Sequence, residues 1–169
     1  MMKTIRFVAI ILTSILANSC ALKAPIITKN DSIEGYKYVF IPTTSDLTSG
    51  TGGVYGGQYG GVYGYSSSKS VNPSDVISGI LLKKGFICLP EIKQEFAGKT
   101  LIVNYGESGR RNIAGGFGGY TIEVTIKLIS AKSYKTMCSC TAEGQGATEA
   151  DDIREAITRC LSGLLSKEN

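Results

Sequence analysis

The chain has 169 residues, 43% of them hydrophobic, with 21 glycines, no Trp and no His. That length suits one domain, and without imidazole there is no Ser-His or Cys-His pair, no histidine metal ligand and no ordinary near-neutral general base. The formal charge of +4 falls to +2 once Lys3 and Arg6 leave with a signal segment, too little for a nucleic-acid binder, which needs a concentrated basic face.

Lys3 and Arg6 make a positive start, and residues 7–16 are a ten-residue apolar run, too short to span a bilayer. The small residues Ala17 and Ser19 then precede Cys20. This segment resembles a bacterial lipoprotein signal peptide, whose lipobox ends in a cysteine that is lipidated after cleavage. Leu16, Ala17 and Ser19 fit that pattern and Asn18 departs from it. The resemblance implies a signal peptide over 1–19, lipid such as palmitate on Cys20, and a lipidated tether over 20–32. Ala21 after the cysteine, rather than Asp, resembles lipoproteins sorted to an outer membrane, facing the periplasm. An acyl chain contributes about 0.8 kcal/mol per buried methylene, so more than one chain anchors stably. Two other readings stay open: plain secretion after a cut at the same bond, and a retained anchor. A buried N-terminal core helix is the weaker reading, because the run lies behind two cations.

The domain is expected over 33–169. Residues 33–43 predict a first strand with Tyr36, Tyr38 and Phe40 on one face and Lys37, Val39 and Ile41 on the other. Apolar residues on both faces point to an interior strand, and Pro42 ends it. Residues 47–70 are of low complexity and carry Tyr55, Tyr59, Tyr63 and Tyr65 in a Gly-rich rhythm of four. Glycine this dense loses too much backbone entropy to hold regular structure unaided, so a loop is expected here. It is read either as a bland surface loop or as a contact surface whose tyrosines stack on sugar rings or a partner protein. If extended, all four tyrosines would share a face, since all are odd-numbered.

Asn72-Pro73-Ser74-Asp75 predicts a helix start, Val76, Ile77, Ile80 and Leu81 its apolar stripe, and Gly85 its end. A short buried strand is expected at 86–89, and another strand at 100–105 with Leu101, Val103 and Tyr105 on one face. Residues 107–119 are expected as a second Gly-rich loop, which is no nucleotide-binding fingerprint because a strand, not a helix, follows it. Its Arg110 and Arg111 are read as a solvated turn, with anion binding as the alternative. Residues 120–129 alternate cleanly, Tyr120, Ile122, Val124, Ile126 and Leu128 against Thr121, Glu123, Thr125 and Lys127. That is a strand with one dry and one wet face. A turn at 130–133 leads to a strand at 134–143. Thr148 with Asp151 predicts the cap of a last helix, whose stripe is Ile153, Ala156, Ile157, Cys160, Leu161 and Leu164. Capping accounts for Glu149, Asp151 and Asp152 better than a catalytic carboxylate group does.

Cys138 and Cys140 share a strand face and Cys160 lies on the helix stripe, so the three are expected in one core cluster, filling space as small apolar groups. A disulfide in an oxidising compartment and a thiolate metal site that includes Cys88 remain the alternatives.

Residues 74–86 and 141–165, with Leu81-Leu82-Lys83-Lys84-Gly85-Phe86, Ala142-Glu143-Gly144-Gln145-Gly146 and Thr148-Glu149-Ala150-Asp151-Asp152-Ile153, resemble small lipoproteins of unknown function from Bacteroides-type Gram-negative bacteria. The resemblance implies no activity and assigns no site residues. The expected fold is an α+β two-layer sandwich: an antiparallel-rich sheet of about five strands with two helices on one face, in the order β-α-β-β-β-β-α. The expected function is a non-enzymatic cell-envelope lipoprotein. It would meet the membrane through lipid on Cys20 and an envelope protein or glycan through Tyr55, Tyr59, Tyr63, Tyr65, Arg110 and Arg111. No catalytic residue, metal, cofactor or nucleic acid enters that reading. The competitors are an envelope enzyme of unknown reaction and a thiolate protein that handles copper or zinc.

Overall fold

A computed structural model of the chain describes residues 22–43, 47–56, 62–113 and 119–166. Its elements in chain order are β1 (Ile26–Lys29), β2 (Tyr38–Phe40), β3 (Leu47–Gly56), β4 (Val62–Val71), α1 (Pro73–Lys83), β5 (Ile87–Leu89), a 3-10 turn (Gln94–Lys99), β6 (Thr100–Asn112), β7 (Tyr120–Ser130), β8 (Thr136–Gly144) and α2 (Glu149–Leu164). The clean alternation of β7 sets the frame. Ile122, Val124, Ile126 and Leu128 are fully buried, while Lys127 is exposed and Glu123 and Thr125 are half-buried on the opposite face.

The fold is α+β. Six strands form one open sheet in the order β1-β8-β7-β6-β2-β5. The pairs β1–β8, β8–β7 and β7–β6 are antiparallel; β2 runs parallel to both β6 and β5. Both helices pack on the dry face and touch each other. The Asn72 side chain caps α1 by accepting from the Ser74 N–H at 3.0 Å. Gly85, at φ +90°, takes the left-handed position that ends it. Thr148 caps α2, accepting from the Asp151 N–H at 3.3 Å. Ile153, Ile157, Leu161 and Leu164 of α2 are buried, each contributing roughly 1.5–3 kcal/mol.

Four expectations need correction. The segment 20–32, read as a tether, is part of the sheet from Ile26: β1 pairs with β8 from Ile26↔Thr141 to Lys29↔Cys138. Its Ile-Ile-Thr run is β-branched, which suits a pleated edge. The tract 47–70, read as a loop, contains an antiparallel hairpin, β3–β4, paired from Leu47↔Val71 to Gly56↔Val62. Pairing satisfies backbone groups that a loop would leave to water, and the ribbon lies along α2, with Val71 buried at its base. The short β5 is an edge strand rather than a buried one, so Ile87 is 53% exposed. Finally, β6 continues to Asn112, so Arg110 and Arg111 stand on a strand and not on a loop. A bulge between Glu107 and Gly109 lets the long ladder with β7 resume.

Candidate functional site

The ribbon register bears on three of the four positions that the sequence placed on a shared tyrosine face. In its register Tyr55 stands opposite Tyr63, and Gly53 opposite Tyr65. Directly opposed residues in an antiparallel pair lie on the same face, as do residues two apart. Positions 55, 63 and 65 therefore fall on one face of a narrow ribbon. Gly53 brings no side chain to the place opposite position 65. Tyr59 lies outside the described residues. Aromatic rings on one face of a two-stranded ribbon can stack on sugar rings or on peptide planes.

Arg110 and Arg111 are adjacent on β6 and face opposite ways, and each is committed to a carboxylate. Arg110 pairs with Glu149 at the start of α2 and lies over the Tyr120 ring, 5.2 Å from its centroid. Half-exposed, that pair is worth at most about 1 kcal/mol. Arg111 grips Glu143 with two parallel hydrogen bonds, Nε donating to Oε1 at 2.8 Å and an Nη to Oε2 at 2.7 Å. They are cross-ties of the fold and not an anion cradle. The solvated-turn reading fails with the loop that it assumed.

Glu143 is the centre of a group that the sequence does not announce. Its side chain is only 4% exposed. Besides Arg111 it accepts from the backbone N–H of Lys23 at 3.1 Å, and the Lys23 ammonium lies 3.8 Å away. Arg159 of α2 donates to the Glu143 carbonyl and, at 2.6 Å, to the Lys23 carbonyl. The Arg111 hydrogen bonds hold the Glu143 carboxyl down to about 2, against the upward push of burial; the Lys23 N–H and the charges of Arg111 and Lys23 add to the lowering. The group fastens the N-terminal stretch to the end of β8 and to α2. Its partners lie 32 and 120 residues away in sequence, so no local pattern marks them.

The thiols fall as expected. Cys138, Cys140 and Cys160 belong to one buried cluster, and the Cys160 thiol donates to the Val124 carbonyl at 3.7 Å. Cys88, Cys138, Cys140 and Cys160 are free. Burial pushes the Cys138 thiol up to about 11, and the hydrogen bond with Cys140, then burial, pushes Cys160 well up. Cys88 is on β5 at the opposite edge, with three strands between it and β8, roughly 19 Å at strand spacing. The thiolate site that required Cys88 beside Cys138 and Cys140 is thus not assembled. Among the described residues no group of three or more His, Cys, Asp and Glu is placed to hold a metal ion. A maleimide applied to the native protein is expected to modify half-buried Cys88 first and the other three only on unfolding, as read by peptide mass spectrometry. Fast native labelling of Cys160 would overturn this packing.

A shallow polar cleft of about 340 Å³ opens at the foot of the ribbon, lined by Ser70, Val71, Asn72, Asp75, Val76 and Arg154. Asn72 is occupied in capping, its Oδ1 accepting from the Ser74 hydroxyl at 2.7 Å as well as from the Ser74 N–H. Asp75 stands in the first turn of α1, where a carboxylate suits the helix dipole. These are roles within the helix, and no nucleophile–base pair is formed there. No protein-family model, curated protein or solved structure matches the chain, so the functional reading rests on this geometry.

Proposed function

We propose that this chain is a non-enzymatic cell-envelope lipoprotein, akin to small lipoproteins of Bacteroides-type Gram-negative bacteria. Lipid on Cys20 holds it to the outer membrane, facing the periplasm. It works by contact, with the tyrosine face of the β3–β4 ribbon meeting an envelope protein or glycan. The observation that carries the reading is the ribbon register, which aligns positions 55, 63 and 65 on one face. The charged start, short apolar run and small residues before Cys20 support the anchor. An enzyme would need polar groups converging in an enclosed cleft; the polar cleft is shallow, and its Asn72 side chain caps α1.

Two measurements test this. Intact mass of the membrane fraction is expected to show a chain that begins at lipidated Cys20, and Cys20→Ser is expected to release the protein. An unmodified mature chain, or a variant that stays equally bound, ends the lipoprotein reading. Separately, the Tyr55→Ser, Tyr63→Ser, Tyr65→Ser triple variant is expected to remain anchored and folded. It should bind its crosslinked envelope partner or glycan on the order of a hundredfold more weakly, since interface aromatics are worth about 1 kcal/mol or more each. Unchanged capture would place the contact surface elsewhere.

A further inference from the structure

The lipoprotein reading supplies an anchor, and the fold leaves it almost no leash. Lys23 is fastened through its backbone: its N–H to Glu143 and its carbonyl to Arg159. Cys20 is three residues before Lys23, a reach of at most about 11 Å. A lipid on Cys20 therefore holds the fastened end of the domain against the bilayer. What stands at that end suits a headgroup layer. Lys23 has a side chain 68% exposed, and Ala24 is exposed. Ile26, two residues further on, is 70% exposed on the face away from the helices, opposite Thr141. The Glu143 carboxylate beside Lys23 is buried and gripped by Arg111, so that carboxylate is not presented to a headgroup layer. Apolar side chains beside an exposed ammonium match the boundary between acyl chains and headgroups. Ile27, the neighbour pointing the other way, is instead drawn toward Gly163 of α2.

We infer that the rim formed by Lys23, Ala24 and Ile26 is a lipid-contacting surface, so that the domain sits on the bilayer in a fixed orientation instead of swinging on a tether. The inference rests on lipidation of Cys20. The opposite end of the sheet, at the β7–β8 turn, then points away from the membrane. Tyr134 marks that end. It is 73% exposed and more than about 20 Å along β8 from Glu143 at strand rise.

The test uses the lipidated chain in phosphatidylethanolamine–phosphatidylglycerol vesicles that carry a headgroup quencher. A fluorophore is attached through Ile26→Cys or Tyr134→Cys in a Cys88→Ser background, the other domain thiols being buried. The fluorophore at 26 is expected to be quenched several-fold more than that at 134. Insertion of ten Gly/Ser residues between Ala21 and Leu22 is expected to equalise the two while membrane binding persists. Equal quenching in the chain without the insertion would overturn the inference, and so would persistence of the difference after insertion. A second copy or a protein that covers the rim in place of lipid would give equal quenching with the pure chain. Loss of vesicle binding altogether is a separate result, scored by co-sedimentation before any quenching is read; it strikes the lipoprotein reading and takes the inference with it.

Discussion

Gly144→Ala is expected to lower the melting temperature by roughly 10 °C. A Cβ on Gly144 would overlap the Asp152 carbonyl oxygen and stand 2.7 Å from the Ala156 nitrogen and 2.8 Å from the Asp152 carbonyl carbon. All three are backbone atoms of α2, so no flexible side chain can give way. Either α2 lifts from the sheet or β8 bends at its end. The helix is fixed by the Thr148 cap and by Ile153, Ala156 and Ile157, which are fully buried, so lifting it opens the core under its first turns. Overpacking of this kind costs about 3 kcal/mol, and each kcal/mol is worth about 3 °C in a domain of this size. The control is Gly79→Ala in α1, where an added Cβ meets nothing within 4 Å. There helix propensity favours alanine by up to about 1 kcal/mol, so that variant should melt at the same temperature or higher. A Gly144→Ala protein that melts within roughly 2 °C of the parent, less than the shift from a single kcal/mol, would show that α2 does not approach β8 this closely.

Gly144 also shows where the sequence stops being legible. The glycine is visible in the chain, but its partner is a backbone carbonyl eight residues on, brought back by a turn that only the tertiary packing defines. The readable elements are those specified within one window. The period-two alternation of β7 and the Asn72 and Thr148 caps are local, and so are the stripes that bury Ile77 and Leu81 in α1 and Ile153, Ile157 and Leu161 in α2. The thiol cluster is legible for the same reason: two local faces, each apolar, have to meet. β1 escapes a reading of the sequence because four residues at an edge carry little periodicity, and Ile26, Ile27 and Thr28 lie within a stretch that the lipobox marks as a tether. The ribbon escapes it because its glycines argue for a loop, while the pairing that offsets their entropy is a property of two segments together. The shared face of positions 55, 63 and 65 likewise follows from the pairing register, since odd numbering fixes a common face only within one strand. Arg111 reads as a surface group, because nothing near it in sequence announces Glu143.

The Arg111–Glu143 pair supplies the other large effect. Glu143→Gln is expected to cost about 2–3 kcal/mol at neutral pH, toward the low end for breaking a buried ion pair, because Arg111 retains 30% side-chain exposure and some access to water. The amide keeps the shape of the carboxylate but can accept only through one oxygen, so one of the two Arg111 hydrogen bonds is lost and the charge beside it is uncompensated. The sign of the pH dependence follows from the lowered carboxyl. Its value in the fold is about 2 against a reference of 4.5. A depressed folded value means that the contribution is fully present above about 4.5 and is lost progressively as the pH falls toward 2. The advantage of the parent over Glu143→Gln should therefore be constant above about pH 5, shrink below it and nearly vanish by about pH 2. Asp152 works in the opposite sense. Burial, reinforced by the charges of Asp151, Glu149 and Glu155, raises its carboxyl despite the hydrogen bond from the Gly146 N–H, so its protonation favours the fold as the pH falls. The difference between parent and variant, measured by urea unfolding at each pH, removes that shared term and isolates Glu143. Parallel pH curves for the two proteins would mean that the carboxylate is not held by Arg111 and Lys23 in solution, and the fastening of the N-terminal stretch to β8 would fall with it.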